Sequence, residues 1–162
     1  MRFWRIPPRV KILEALGSIA DKRISILSEK VVNGKTVIKA MCISSEKNRV
    51  YNIIYIPEDN SIFSDDNGSK FKGYLGYPSI ALLMLKKVLS FSPEISLFLK
   101  NVPWKKMNEK FKNYYKTESE VKRMLAKKGI SEKKVDKFIE KIIKEIKQKK
   151  FVVLKNPEEF LT

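Results

Sequence analysis

The segment from residue 23 to residue 56 constrains the fold most, because its apolar residues follow a period of two. The residues before it follow a helical period instead. β-Branched residues lead up to Val31 and Val32, and Asn33-Gly34 comes directly after them. An Asn-Gly pair between two such runs favours a type I′ turn, because both of its positions need positive φ. The sequence therefore predicts a β-hairpin that turns at Asn33-Gly34.

Three further strands are predicted after this turn, at residues 35–44, 49–56 and 61–64. The connections between them are short, and short connections join antiparallel neighbours. We expect a four-stranded antiparallel meander, with residues 151–154 as a last short strand.

Helical periodicity is found in the sequence both before and after the predicted strands. It predicts an N-terminal helix at residues 8–21 and a helix near residues 80–89 that is apolar nearly all round, and therefore buried. Further helices are expected to start at Pro93, at Pro103, at a capping box formed by Thr117 and Glu120, and at Ser131 after Gly129. The predicted fold class is α+β, with a core at residues 1–91 and a basic helical region at 92–162 packed on it.

Charge is the property that points to a partner. The chain has 34 Lys and Arg against 18 Asp and Glu, a net charge of +16, whereas a magnitude of about 2–8 suits a small domain. Residues 100–155 contribute +12 and residues 1–99 contribute +6. Lysine-rich composition is also typical of thermophile proteins, but those gain glutamate as well. The excess of bases favours nucleic acid, either DNA or RNA, or another polyanion as the partner.

The residue inventory argues against common catalytic chemistry. The chain has no histidine and one cysteine, Cys42, which removes the usual general base, thiol hydrolases and cysteine zinc sites. A cluster of acids at Glu58, Asp59, Asp65 and Asp66 reads as polar turns, not as a cation site. Glu-x-Lys elements at 120–122 and 145–147 lie on predicted helices, where they do not converge on a metal. We expect no catalytic residue, no metal and no cofactor.

The cysteine count and the lengths of the apolar stretches bear on the cellular compartment. A lone cysteine cannot form an internal disulfide, and the N-terminus lacks the apolar run of a signal peptide. The longest apolar stretch, residues 80–85, falls short of the ~20 residues of a membrane span. These features predict a cytoplasmic protein with no membrane span.

Two basic and aromatic segments are candidates for nucleic-acid contact. The first leads into the buried helix, where glycines, lysines and tyrosines suit an anion or a stacked base, and its candidates are Lys70, Lys72, Tyr74 and Tyr77. The second is an N-terminal arm in which aromatic residues alternate with the candidates Arg2, Arg5 and Arg9. A structural role for the glycines, with the tyrosines buried, is the alternative for the first segment. Packing of Phe3 and Trp4 under the first helix is the alternative for the arm.

The C-terminal helices resemble a helix-turn-helix motif, with Gly129 in the turn and apolar residues at Leu125, Val135 and Phe138. This resemblance implies a phosphate-binding face on the second helix, formed by Lys133, Lys134, Lys137 and Lys141. An ordinary helical hairpin closed by a glycine cap explains the same residues. Lysines read bases poorly, so we expect contacts mainly to the phosphate backbone.

The sequence thus predicts a non-catalytic nucleic-acid-binding protein that acts through phosphate contacts. A protein-protein assembly module is the first alternative, with partner surfaces at the isoleucine stripe of the last helix and at Trp104, Met107, Phe111, Tyr114 and Tyr115. An enzyme whose carboxylates are gathered only by folding is the second alternative.

Overall fold

The computed structural model describes residues 1–161, in which one helix, four strands, five helices and a last short strand follow one another. The strands of this part of the chain are β1 (Ile24–Val32), β2 (Lys35–Ile43), β3 (Val50–Ile56), β4 (Ser61–Ser64) and β5 (Val152–Val153). Its α-helices are α1 (Val10–Ala20), α2 (Tyr77–Leu85), α3 (Pro93–Phe98), α4 (Trp104–Phe111), α5 (Tyr114–Lys127) and α6 (Glu132–Lys149). The predicted α+β class is confirmed.

The sheet has the order β1-β2-β3-β4-β5. Its first four strands form the predicted antiparallel meander. Asn33 and Gly34 both have positive φ, 50° and 80°, and Val32 pairs with Lys35 across the turn, so the hairpin is confirmed. The short strand β5 pairs in parallel with β4. The sheet is therefore mixed and has five strands.

The N-terminal arm pairs with β5 at the edge of the sheet. The Trp4 N–H donates to the Phe151 carbonyl at 3.0 Å, and the Val153 N–H donates to the Arg2 carbonyl at 2.8 Å. The indole N–H of Trp4 reaches the Ile62 carbonyl on β4 at 2.8 Å. Trp4 packs against the core while Phe3 stays largely exposed. Residues at the two ends of the chain thus close one edge of the sheet.

The main core lies between one face of the sheet and the helices α1 and α2. Every residue of α1 from Val10 to Ser18 is buried. Helix α2 is buried from Pro78 to Met84, while Tyr77 is half-buried and Leu85 is 39% exposed. The helix ends at Leu85 and not near residue 89. Cys42 is buried in this core, and burial raises the pKa of its thiol to about 11.

The predicted capping box at Thr117 and Glu120 is wrong. Helix α5 begins three residues earlier, at Tyr114, where the Asn113 side chain accepts hydrogen bonds from the N–H groups of Tyr115 and Lys116. Thr117 is buried within the helix. The later cap is confirmed, because the Ser131 side chain accepts from the Lys134 N–H, and Gly129 has φ 92°.

An ion network joins α1 to α5 and α6, and we call it the helical ion network. It contains Arg9, Glu118, Lys122 and Asp136. Arg9 contacts Glu118 at 3.2 Å and Asp136 at 2.6 Å, and Lys122 contacts the same two carboxylates at 3.1 and 2.9 Å. Burial alone would lower the pKa of Lys122, but hydrogen bonds to Asp136 and Glu118 raise it.

The membrane-span criterion can be applied to each helix directly. Within residues 1–161, no helix combines the length and the apolar character needed to cross a bilayer.

Candidate nucleic-acid interface

A cleft of about 610 Å³ opens between α1, the β2–β3 turn, the start of α2 and the α4–α5 connection. It continues into a shallow depression beside residues 70–72, with which it shares Arg49, Tyr51, Tyr74 and Tyr114. We call the cleft and this depression together the basic groove. The cleft alone has the size of sites that enclose a small organic ligand.

The floor of the groove is formed by buried polar side chains from α1 and from the start of β1. Lys11 and Glu14 lie one turn apart on α1, and their charged atoms are 2.9 Å apart. Burial alone would lower the pKa of Lys11, but Glu14 together with Tyr74 and Tyr114 more than offsets it, so the net shift is upward. Lys11 is therefore a fixed cation, not a base.

Arg23 is the second cation of the floor and is only 4% exposed. Its Nη1 donates to the Ile43 carbonyl at 2.7 Å, and its Nε lies 3.5 Å from an Asp21 carboxylate oxygen. Its Nη2 is buried and has no hydrogen-bond partner among the residues that the structure describes. A buried donor of this kind costs about 1–3 kcal/mol if nothing satisfies it.

Helix α4 adds two more unpaired polar atoms to the groove. The indole N–H of Trp104 and the Oδ1 of Asn108 are both buried, and neither has a hydrogen-bond partner within residues 1–161. Trp104 is held against α1, where a Cβ on Gly17 would lie 2.8 Å from its Nε1. Three donors, Arg23 Nε and Nη2 and Trp104 Nε1, and one acceptor, Asn108 Oδ1, are thus left for a ligand or water. Glu14 Oε2 also makes no hydrogen bond within residues 1–161, but it has the Lys11 ammonium 2.9 Å away.

Tyrosines form the walls of the groove. Tyr51 and Tyr77 meet edge to face with ring centroids 6.4 Å apart, and the Arg23 guanidinium lies 5.8 Å from the Tyr77 ring. The Lys11 ammonium lies 4.5 Å from the Tyr114 ring. Burial raises the pKa of Tyr74 and Tyr77. Both hydroxyls are therefore protonated at neutral pH and can donate a hydrogen bond.

The mouth of the groove is basic and exposed. Arg49 comes from the β2–β3 turn, Lys105 from α4 and Lys112 from the end of α4. Two exposed acids lie beside them: Glu109, and Glu46, whose carboxylate is 3.8 Å from the ammonium of the partly exposed Lys105. The side chains at the mouth therefore give an excess of positive charge toward solvent.

A single π-helical turn at Gly68–Lys72 positions the lead-in to α2. A Cβ on Gly68 would lie 2.3 Å from the Tyr74 ring, and one on Gly76 would lie 2.1 Å from an Asp66 carboxylate oxygen. Asp66 in turn accepts hydrogen bonds from the hydroxyls of Ser64 and Ser69. The two glycines let side chains of this chain approach closely, which places Tyr74 and Tyr77 in the groove.

Two of the three predicted candidate groups lie side by side. Tyr74 and Tyr77 line the cleft, and the exposed Lys70 and Lys72 line its shallow extension. Arg5, in the arm, pairs with the same lead-in: its N–H donates to the Gly73 carbonyl, and its Nη1 reaches the Lys72 carbonyl at 3.3 Å. Arg2 is exposed beside β5.

The remaining candidates lie elsewhere. Arg9 is engaged in the helical ion network, and Lys134 pairs with Glu94. Lys133, Lys137 and Lys141 are exposed on α6. Within residues 1–161, no side chain of α6 lines the groove. The predicted lysine face is therefore a separate surface.

Sequence reasoning missed the floor, which consists of Lys11, Glu14, Arg23, Trp104 and Asn108. One signal was present, because Lys11 and Glu14 interrupt a helix whose other positions are almost all apolar. The predicted acid cluster is divided among local partners: Glu58 accepts from Thr36, Asp59 pairs with Lys35, and Asp65 accepts from Asn52. The described residues contain no group of three or more acids and cysteines that could hold a metal ion.

A second, larger cavity of about 880 Å³ lies on the opposite face of the sheet, beside β5 and the C-terminal turn. Its base is apolar, with Val37, Ile56 and Leu154 beside Phe160, while polar and charged side chains such as Lys30, Lys155 and Glu159 also line it. Ser61 Oγ is the one atom of its lining that is buried without a hydrogen-bond partner in the described part of the chain. The groove is therefore the better candidate for a polar ligand.

The comparisons with known proteins place the chain in a family. The model of one family, described as uncharacterised conserved protein UCP014422, matches residues 4–152. The chain belongs to this family. The matched range contains every residue of the groove named above, so the groove lies inside the region that defines the family. No curated protein and no solved structure matches the chain.

Proposed function

We propose that this protein binds nucleic acid without catalysing a reaction on it, and that the strand lies in the basic groove. The observation that carries the proposal is the composition of the groove. Exposed cations at its mouth stand next to tyrosine rings, and a buried guanidinium below them has a free donor. Charge for phosphates together with aromatic surface for bases is the combination used by proteins that bind single strands.

The shape of the groove favours a single strand over a duplex. Its functional groups lie inside a cleft between loops and helices, where a rigid double helix cannot place its bases. A flexible strand can lay phosphates along Lys70, Lys72 and Arg49 and bring a base to the tyrosines. The adjacent Arg5 extends the positive surface in the same direction.

The α6 lysine face supports a different version of the same function. Lys133, Lys137 and Lys141 are exposed and could meet the phosphates of a duplex. Three such contacts imply a slope of about −2.7 for log K against log salt, because each contributes about −0.9 on duplex DNA. Single-strand contacts contribute about −0.7 each, so the two surfaces can be told apart by measurement.

The experiment is a salt titration of binding to single-stranded RNA, single-stranded DNA and duplex DNA between about 50 and 200 mM salt, with heparin as competitor. Two variants of equal charge change are compared. Arg49→Gln with Lys112→Gln alters the mouth of the groove, and Lys137→Gln with Lys141→Gln alters the α6 face. We expect the first to flatten the single-strand slope by about 1.4, and the second to leave it unchanged.

The outcomes discriminate between the surfaces. A slope that changes only in the α6 variant assigns binding to the helical pair and contradicts the groove. A wild-type protein that binds none of the three nucleic acids at low salt overturns the proposed function.

The assembly-module alternative gains little from the structure. The isoleucine stripe of α6 is buried, as is Trp104, while Met107 and Phe111 are partly covered. Tyr114 and Tyr115 remain exposed, and Tyr114 belongs to the groove. The α6 stripe and Trp104 are therefore core, whereas Tyr114 and Tyr115 keep exposed ring surface.

A further inference from the structure

The floor of the groove is close to electrically neutral. Lys11 is matched by Glu14 at 2.9 Å, and Arg23 is matched by Asp21 at 3.5 Å. A phosphate placed on this floor would meet the buried carboxylate of Glu14 as well as the cations. Burying a second anion beside it is unfavourable in a region with little water. The floor is therefore better suited to a neutral ligand than to a phosphate.

The unpaired atoms of the floor are of both kinds. Arg23 Nε and Nη2 and Trp104 Nε1 are donors, while Asn108 Oδ1 and Glu14 Oε2 are acceptors. Arg23 Nε and Glu14 Oε2 have ion-pair partners nearby, so Arg23 Nη2, Trp104 Nε1 and Asn108 Oδ1 are the atoms most in need of a partner. Each is buried without a hydrogen-bond partner in the described residues, so a ligand that pairs with them recovers free energy. The edge of a nucleobase carries N–H donors and carbonyl or ring-nitrogen acceptors together.

The walls favour a flat ring. Tyr51, Tyr74 and Tyr77 surround the cleft with aromatic surface. The volume of about 610 Å³ exceeds what one ordered anion needs and suits a ring with an attached sugar. The cations of the mouth, Arg49, Lys105 and Lys112, stand where a phosphate attached to that sugar would emerge.

We infer that the closed end of the groove takes one unstacked nucleobase, which pairs through its edge with Arg23, Trp104 and Asn108 while its phosphate stays at the basic mouth. This inference rests on the proposed function and makes it more specific. A strand bound along the groove turns one base inward, and this base is read by hydrogen bonds. The neighbouring nucleotides are held by charge alone.

The test is calorimetric titration of the full chain with the four ribonucleoside monophosphates, with ribose 5-phosphate and with inorganic phosphate. We expect at least one nucleotide to bind about tenfold or more tightly than ribose 5-phosphate, because only the nucleotide satisfies the floor. Asn108→Ala should lower that nucleotide's affinity by about tenfold and leave ribose 5-phosphate unaffected. Gln148→Ala removes an exposed amide on α6 and is the matched control.

Trp104→Phe is a second variant that keeps an aromatic ring and removes the indole donor. Thermal melting of each variant separates loss of binding from loss of folding. Equal affinities for nucleotides, ribose 5-phosphate and inorganic phosphate would overturn the inference and make the floor a simple anion site. So would nucleotide affinities that are unchanged in both Asn108→Ala and Trp104→Phe.

The two proposals can fail separately. If oligonucleotides bind with the expected salt dependence while no monophosphate does, the base pocket is wrong and nucleic-acid binding stands. If neither oligonucleotides nor monophosphates bind, both proposals are overturned.

Discussion

The helical ion network and the floor of the basic groove both bury charged side chains beside α1, but they differ in how completely those side chains are paired. In the network, Lys122 is only 7% exposed and contacts three carboxylates, those of Glu118, Glu132 and Asp136. In the groove, Arg23 is similarly buried and keeps a donor without a partner in residues 1–161. Buried charges that are all paired stabilise the fold, whereas a buried polar atom without a partner indicates a place for a ligand to bind.

The largest expected effect comes from breaking the helical ion network. Glu118→Gln leaves Arg9 and Lys122 with one fewer carboxylate in a buried setting, which should destabilise the fold by about 3 kcal/mol. Urea denaturation measures the loss. Glu120→Gln is the control on the same helix, because Glu120 pairs with Arg123 at the surface and should matter little. Equal effects of the two variants would show that the network is not a structural element.

The second-largest expected effect is a loss of folding stability at high pH, caused by the buried thiol of Cys42. Cys42 lies close to Arg23 and Tyr77, and burial raises its pKa from 9.0 to about 11. The unfolded chain therefore ionises first, so stability is present below pH 9 and is lost as the pH rises toward 11. The loss from this group is about 2–3 kcal/mol. Cys42→Ala should flatten this part of the stability profile, and parallel profiles would contradict a dry environment at this position.

Gly17→Ala probes the contact that fixes Trp104 beside α1. The added Cβ would lie 2.8 Å from the indole Nε1, so the ring must shift. Overpacking costs about 1–3 kcal/mol, and the better helix propensity of alanine returns about 1 kcal/mol, which leaves a net loss of about 1 kcal/mol. Thermal unfolding measures it, with Ala20→Gly as the propensity control. A stabilised Gly17→Ala protein would show that the indole is free to move.

The smallest effect is expected at the exposed lysines. Lys137→Gln with Lys141→Gln should leave the melting temperature nearly unchanged, because exposed charges contribute little to folding. The same pair of changes serves as the control in the salt titration. A clear rise in melting temperature would mean that charge repulsion on α6 destabilises the fold. Surface charge would then have to be counted beside the buried charges of the ion network and the groove.

The parts of the fold that were predictable are those set by local sequence. The Asn33-Gly34 turn needs only its own two residues and the strands beside them, and the Ser131 cap needs only the residues of one helical turn. The start of α5 was not predictable in this way, because Asn113 and Thr117 are both good caps four residues apart. Burial of Thr117 against the core decides between them, and that is a tertiary effect.

The groove could not be assembled from the sequence for a related reason. Lys11, Arg23, Tyr77 and Asn108 come from four separate segments, and of these four only Tyr77 was among the predicted candidates. The lysines of α6 attracted attention because they lie within nine residues of one predicted helix, although they form no cavity. Charge density along a sequence indicates a surface, whereas a site depends on which side chains folding leaves without partners.

The pairing of the N-terminal arm with β5 has a consequence for the order of folding. Phe3 bridges Val152, and Arg2 accepts a hydrogen bond from Val153, across about 150 residues of chain. Closing so long a loop is entropically costly, while the β1–β2 hairpin closes over two residues. The hairpin can therefore form early, and the sheet edge is completed late. Weakening the arm should then accelerate unfolding more than it slows folding, because its contacts are absent from the transition state.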